Sequence, residues 1–344
     1  MGSRPSKQLA GFLTAILLVT ACQPLSPPAT AGTDNAALDV LAAESFLADI
    51  AQNVAGERLA IQALVPAGID PHTFEPTPQD AVRIAESDVL IVNGAGFEEW
   101  LEEMLENAGG QRVVIEASAG LASRQPQEGE VRTQDNAESI CAVPAEGQPP
   151  EDEACEPGIS FDQEEHAHEG DPHFWLDPNH VIRYVENIRA GLVQVDPAGE
   201  KVYAQNAEAY IAELKKLDAW ITEQVDSIPP EERLLVTNHE SFGYYADRYG
   251  FTIIGTVIPS VSSGASPSAQ QLASLIDAIR TSQVKEIFLE TGANPDLAEQ
   301  IALETGVKVV GDLFTHSLSL PGGPAPTYLE MMKYNTEQIV SSLK

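Results

Sequence analysis

Basic residues are scarce in this sequence. Only 19 lysines and arginines stand against 52 acidic residues, a formal net charge of −33 over 344 positions. A surface of that sign repels phosphates, which excludes nucleic acid as a partner. It draws in cations, and it also serves solubility. Tandem repeats are absent, which excludes a solenoid. Long apolar runs are absent beyond the first 22 residues, which excludes a further membrane span. The apolar fraction of 43% is ordinary, so a chain of this length can bury the cores of two domains.

The one apolar run, residues 9–21, follows Arg4 and Lys7. It has signal-peptide length and ends in VTAC. The small residues before Cys22 are similar to a bacterial lipobox, in which cleavage leaves Cys22 as a lipidated N-terminus on the membrane; a plain secretory signal is the alternative. Residues 23–36 are rich in Pro, Ser, Thr and Gly and read as a flexible tether. The chain has three cysteines. With Cys22 set aside, Cys141 and Cys155 form an even pair, which in an exported protein suggests a disulfide. Two free thiols acting as metal ligands are the competing reading.

From Leu38 the pattern alternates strand and helix: LDVLAA, ESFLADIAQNVAG, RLAIQALV, TPQDAVRIAES, DVLIVN, FEEWLEEMLENAG and RVVIEAS. Alternation of this kind predicts an α/β lobe with a mainly parallel sheet. The rhythm stops over residues 118–170, which are acidic and rich in Gln, Pro and Gly and read as a mobile insertion within an N-terminal lobe of residues 37–178. Residues 179–228 read as a helical linker. Its long run from Pro197 to Ile228 would span roughly 45 Å and bridge two lobes. A second alternating set, residues 229–344, predicts a C-terminal α/β lobe.

The chain has seven histidines. His72 follows the strand RLAIQALV, His239 follows RLLVTN and His316 follows VKVVGDLF. Open parallel sheets bind ligands beyond the carboxyl ends of their strands, so these three converge if the lobes face each other. His173 stands where the insertion returns to the first lobe. Both His72 and His173 sit in a DPH phrase, DPHTFEP and DPHFWLDP. Proline restricts its own φ and the residue before it, so each phrase is a stiff stub aiming one imidazole. Four imidazoles suit Zn2+, which takes nitrogen ligands in a tetrahedron. Calcium and magnesium want oxygen, and manganese usually wants some carboxylate. His180, at a helix start, reads as a capping or surface residue. His166 and His168, in the insertion, read either as loop groups that capture metal or as ordinary loop residues.

The ordered phrases GIDPHTFEPTPQD, VNGAGFEEWL, DPHFWLDP, TNHESFGYYADRYG, EIFLE and FTHSLS…PTYLEMMKYN resemble the metal-binding proteins of bacterial ABC importers, family 9 of the solute-binding proteins, the zinc and manganese type. The resemblance covers residues 38–344 apart from the insertion. It implies two α/β lobes joined by one long rigid helix, with metal in the interlobe cleft. It also implies an extracytoplasmic monomer serving an ABC permease and its ATPase, with Zn2+ as cargo and Mn2+ or iron as the alternative. The implied ligands are His72, His173, His239 and the position of His316. The last is commonly Asp or Glu in that family, which leaves open a role for water, Asp312 or Glu290. Neutral ligands leave the ion's double charge for nearby carboxylates to offset.

Two other functions compete. A zinc hydrolase would need a base beside an open metal position. HESFG begins like the HExxH helix, but Gly243 stands where the second histidine belongs, and no serine nucleophile elbow is present. An enzyme is therefore not expected. A metal-binding surface adhesin is the other reading, since some members of the resembled family are described that way.

Overall fold

Four short aliphatic runs build the first sheet: β1 (Val40–Ala42), β2 (Ile61–Ala63), β3 (Val89–Val92) and β4 (Val113–Glu116). They run parallel in the order β2-β1-β3-β4. β1 and β3 are buried at every residue, as strands covered on both faces must be. The computed structural model describes residues 1–2, 38–109, 111–124 and 170–344.

Helix α1 (Ser45–Ala55) buries Phe46, Leu47, Ile50 and Val54, one face of a 3.6-residue period. It ends at Gly56, whose φ of 61° carries no Cβ penalty in glycine. Helix α2 (Pro78–Glu86) opens with a capping box: the Thr77 hydroxyl accepts from the Asp80 N–H, and the Asp80 carboxylate accepts from the Thr77 N–H. Helix α3 (Glu99–Ala108) leads into β4.

The second lobe repeats the plan. Strands β5 (Leu234–Thr237), β6 (Thr252–Thr256), β7 (Glu286–Glu290) and β8 (Lys308–Leu313) run parallel in the order β6-β5-β7-β8. Helices α6 (Gly243–Tyr249), α7 (Ala269–Ser282) and α8 (Asp296–Thr305) connect them. In each lobe the strand order reverses beside the first strand, so the gap where ligands bind falls between β1 and β3 and between β5 and β7.

Between the sheets lie α4 (Pro178–Val195), α5 (Glu200–Val225) and the last helix, α9 (Tyr328–Leu343). α5 has 26 residues, so it is about 39 Å long. It starts later than the sequence pattern suggested, because Pro197–Gly199 forms a 3-10 turn of its own. Its buried stripe is Tyr203, Ala207, Tyr210, Leu214, Leu217 and Ile221. One apolar core runs through both lobes, joining Phe46 of α1, Trp175, Tyr184 of α4, Tyr245 of α6 and Met331 of α9. α9 is tied back to the first lobe: the Tyr328 N–H donates to Asp49 Oδ2 at 2.9 Å, and its hydroxyl donates to the Trp175 carbonyl at 2.6 Å.

The two sheets with their flanking helices and long bridging helix are the expected architecture. One boundary differs. Residues 118–124, read from composition as the start of a loop, are fixed in the fold. Ser118 is buried, Leu121 packs on the core, and Arg124 is buried against Asp247 at 2.9 Å. Low hydrophobicity hid them, because polar contacts of Arg124 hold them alongside the single apolar anchor Leu121. Cys22, Cys141, Cys155, His166 and His168 lie outside the described residues. Among the described residues no helix is long and apolar enough to cross a membrane.

Candidate metal centre

The two DPH phrases fold alike. In each, the aspartate side chain turns back to accept the N–H of the histidine two residues on: Asp70 Oδ1 from His72 at 2.9 Å, and Asp171 Oδ1 from His173 at 3.0 Å. The intervening proline has no N–H to compete and sets the bend. A third Asp-Pro pair uses the same turn to start α4, where Asp177 Oδ1 accepts from the Asn179 N–H at 2.8 Å. The repeated phrase is thus a turn that fixes the backbone under a side chain.

The structure brings His72, His173, His239 and His316 together. One ligand atom from each lies within 4.8 Å of those of the other three. Ring centroids are 4.7 to 5.7 Å apart. His173, His239 and His316 are buried and His72 is half-buried. The Nε2 atoms of His173 and His316 are 3.3 Å apart. The Nε2 atoms of His72 and His239 are buried without a hydrogen-bond partner. Orphaned buried nitrogens are costly unless something accepts their lone pairs. Two ligands at about 2.0–2.1 Å on a tetrahedral ion stand about 3.3 Å apart, the spacing of the His173–His316 pair.

Carboxylates stand behind the rings. Asp171 Oδ1 lies 2.8 Å from His173 Nδ1, which fixes that ring's proton on Nδ1 and frees Nε2 as ligand. Glu290, the last residue of β7, sits between two histidines: Oε1 is 2.9 Å from His239 Nδ1, and Oε2 is 3.6 Å from His316 Nδ1. The first contact is close but lacks hydrogen-bond alignment, since His239 Nδ1 has no partner of proper geometry. It acts as a charge contact. The Ser241 hydroxyl donates to Glu290 Oε1 at 2.9 Å and holds the carboxylate there. The Thr315 hydroxyl meets His316 Nδ1 at 2.9 Å.

The electrostatics divide the four rings. Burial first, then the neighbouring imidazoles, push His72, His173 and His316 well below the ordinary imidazole range. His239 differs. Burial acts downward on it too, but Glu290, with Asp70 and Asp171 behind it, outweighs burial and holds it above its ordinary value. Burial thus biases three rings toward the neutral form that can ligate, while the carboxylates bias the fourth toward keeping its proton.

Asp312 does not reach this cluster. The register between β7 and β8 shifts between Phe288 and Glu290, and Asp312 takes the extra place with φ of 68°. A bulge of this kind turns the strand, leaving the Asp312 side chain exposed. His180 does not cap α4; Asp177 does. The His180 ring stands edge-on to Phe174 and Tyr244 at 5.7 and 5.1 Å. Asp171 was legible only as a loop-fixing residue; its contact with the His173 ring has no sequence signal beyond the DPH spacing.

Two parallel-sheet lobes with a buried nitrogen cage between them make a receptor for a divalent metal ion. The chain belongs to the family described as zinc-uptake complex component A, periplasmic (ZnuA), whose model matches residues 40–342. It is 33% identical over 310 residues to the manganese-binding lipoprotein MntA of Halalkalibacterium halodurans, covering 90% of each chain. It is 28% identical over 347 residues to the iron ABC transporter substrate-binding lipoprotein MtsA of Streptococcus pyogenes serotype M1, covering 100% of this chain and 99% of that one. Among solved structures it is similar to the manganese-bound periplasmic metal-binding protein of Candidatus Liberibacter asiaticus, with TM-score 0.70 and 28% identity over 89% of this chain and 100% of that one. The protein is the metal-binding component of an ABC importer, partnered by a permease and an ATPase, and is not an enzyme.

Proposed function

We propose that the cargo is Zn2+, held by His72, His173, His239 and His316 and handed to the permease. The observation that carries this reading is the donor set: four imidazole nitrogens within 4.8 Å of one another, with no carboxylate in the cluster. Nitrogen-only tetrahedral sites favour zinc, whereas manganese and calcium take carboxylate oxygen. Asp171 beside His173, and Glu290 between His239 and His316, supply two negative charges that offset the ion's two positive ones.

The names of the relatives favour a second reading, manganese or iron. In that case Glu290, 3.6 Å from His316, would turn inward to replace an imidazole. Competitive titration with a chelating indicator separates the two. Tight one-to-one zinc binding that beats manganese is expected, and His316→Asp is expected to narrow the preference by adding an oxygen donor. Manganese preference in the unaltered protein would overturn the zinc reading.

The remaining assignments complete the picture. Cys22 carries the lipid that keeps the protein at the extracytoplasmic face of the membrane. His166 and His168 collect metal ahead of the cleft, and Cys141 pairs with Cys155. Mass spectrometry of the membrane-extracted protein tests the first and last together.

A further inference from the structure

We infer that Tyr244 is a positioning residue for metal binding, through which the second lobe holds His173 of the first. This rests on the reading of His173 as a ligand.

Tyr244 lies on α6, the helix that follows the His239 turn. Its side chain is buried, with its ring 4.7 Å from that of Phe174, the neighbour of His173. The hydroxyl ties two segments together, with Ser123 also within hydrogen-bond reach. It donates to the Asp171 carbonyl at 2.7 Å and accepts the Arg124 N–H at 3.1 Å. One phenol oxygen therefore joins the segment leaving the first lobe to the segment returning to it. Those segments also touch directly, because a Cβ on Gly170 would stand 2.1 Å from the Ser123 hydroxyl.

The helix leaves this junction no slack. A Cβ on Gly243 would stand 2.6 Å from both Arg124 Cδ and Asp171 Oδ2. Arg124 closes the junction with a two-pronged ion pair to Asp247, one turn along α6, at 2.9 and 3.2 Å. Asp171 is thus held at its carbonyl by Tyr244, while its carboxylate holds both the backbone N–H and the ring Nδ1 of His173. Partners one step behind a metal-bound histidine set ring orientation, and their loss weakens metal affinity about 10- to 100-fold. Tyr244 acts one step further back, so the lower end of that range applies.

The test compares Tyr244→Phe, Asp171→Asn and the double variant for Zn2+ affinity by chelator competition. The d–d spectrum of bound Co2+ reports ligand geometry. Tyr249→Phe serves as control, since that tyrosine is on the same helix but its hydroxyl meets Asp218 at 3.2 Å. Tyr244→Phe is expected to bind Zn2+ about tenfold more weakly and to alter the Co2+ spectrum. The double variant should bind no worse than the weaker single one, because both act through one ring. Tyr249→Phe should leave affinity unchanged. Unchanged affinity and spectrum in Tyr244→Phe, or losses that add in full with Asp171→Asn, would overturn the inference. Full affinity in His173→Ala would instead strike the ligand reading itself.

Discussion

The Nε2 atoms of His173 and His316 stand 3.3 Å apart, although the residues belong to opposite lobes. Two imidazole nitrogens at this spacing can share a proton as a hydrogen bond or a cation as its two ligands. On the zinc reading a cation would take the place of the shared proton and bond to both. On that reading bound metal would join the lobes at this point, whereas the shared core joins them elsewhere.

Removing one of the pair should show this. His316→Ala is expected to weaken Zn2+ binding about 100-fold or more, at least the upper range for loss of an outer-shell partner. Chelator competition measures it. Unchanged affinity would mean that water or Glu290 completes the site.

The fold was legible because each element carries its own signal. Thr77 with Asp80, and Gly56 after an amphipathic run, mark helix ends in the sequence as clearly as in the structure. Three of the clustered histidines were legible from their place after strands, and His173 from its repeat of the His72 phrase. What stayed hidden depends on contacts far apart in sequence. Glu290 was legible as a candidate for the site, but its contact with His239 arises only because β7 and β5 are neighbours. Asp312 looked eligible beside FTHSL until the bulge turned it out, and a bulge of one residue leaves no mark in hydrophobic periodicity. Arg124 read as loop because its partners, Tyr244 and Asp247, lie over a hundred positions away.

Acid should weaken metal binding, and three of the four rings oppose folding in acid. His72, His173 and His316 are held below their ordinary range when folded, so the unfolded chain binds more protons below about pH 6.5. Their contribution to stability is present above that pH and falls as pH drops toward the folded values. His239 runs the other way, since its raised value favours the folded state below about pH 6.5 and that contribution fades as pH rises through the folded value. The rise in melting temperature on adding Zn2+ should shrink from about pH 7 to pH 5, because protons and metal compete for the same nitrogens. A constant rise over that window would count against an imidazole site.

A second titrating pair acts in the opposite sense. Glu44 is fully buried, neither carboxyl oxygen has a donor partner, and its neighbour is the carboxyl of Glu98. Burial, then the nearby Glu98 charge, raises Glu44 well above the carboxylate range. Burial also raises Glu98 to about 7, against the backbone N–H groups of Asn93 and Gly94, which pull it down. The folded state therefore holds protons that the unfolded chain has released, so stability falls as pH rises from about 4.5 through 7. Glu44→Gln supplies a permanent neutral donor to Glu98. Thermal melts of this variant should lose much of that decline while keeping the fold; an unchanged pH profile would show that Glu44 holds no proton.

Metal capture should move the lobes little. A hinge needs a few residues free to take up dihedral change. Here the connection is a 26-residue helix whose buried stripe packs into a core shared by α1, α4, α6 and α9. Further ties cross between the lobes near the cleft: the Gly68 N–H donates to the Ser317 hydroxyl at 2.7 Å, the Leu318 N–H donates to the Ser45 hydroxyl at 3.0 Å, and the Ser263 hydroxyl donates to Asp70 Oδ2 at 2.5 Å. Wide opening would break these and expose apolar core together, so release is expected to work through the loops that carry the ligands. Small-angle scattering of the metal-free and Zn2+-loaded protein should give the same radius of gyration within error. Loosening the Ser263 tie with Ser263→Ala should speed Zn2+ release by a few-fold, the loss of one charge-assisted hydrogen bond. A large contraction on adding Zn2+ would place the motion in the helix instead, and the shared core would then have to divide.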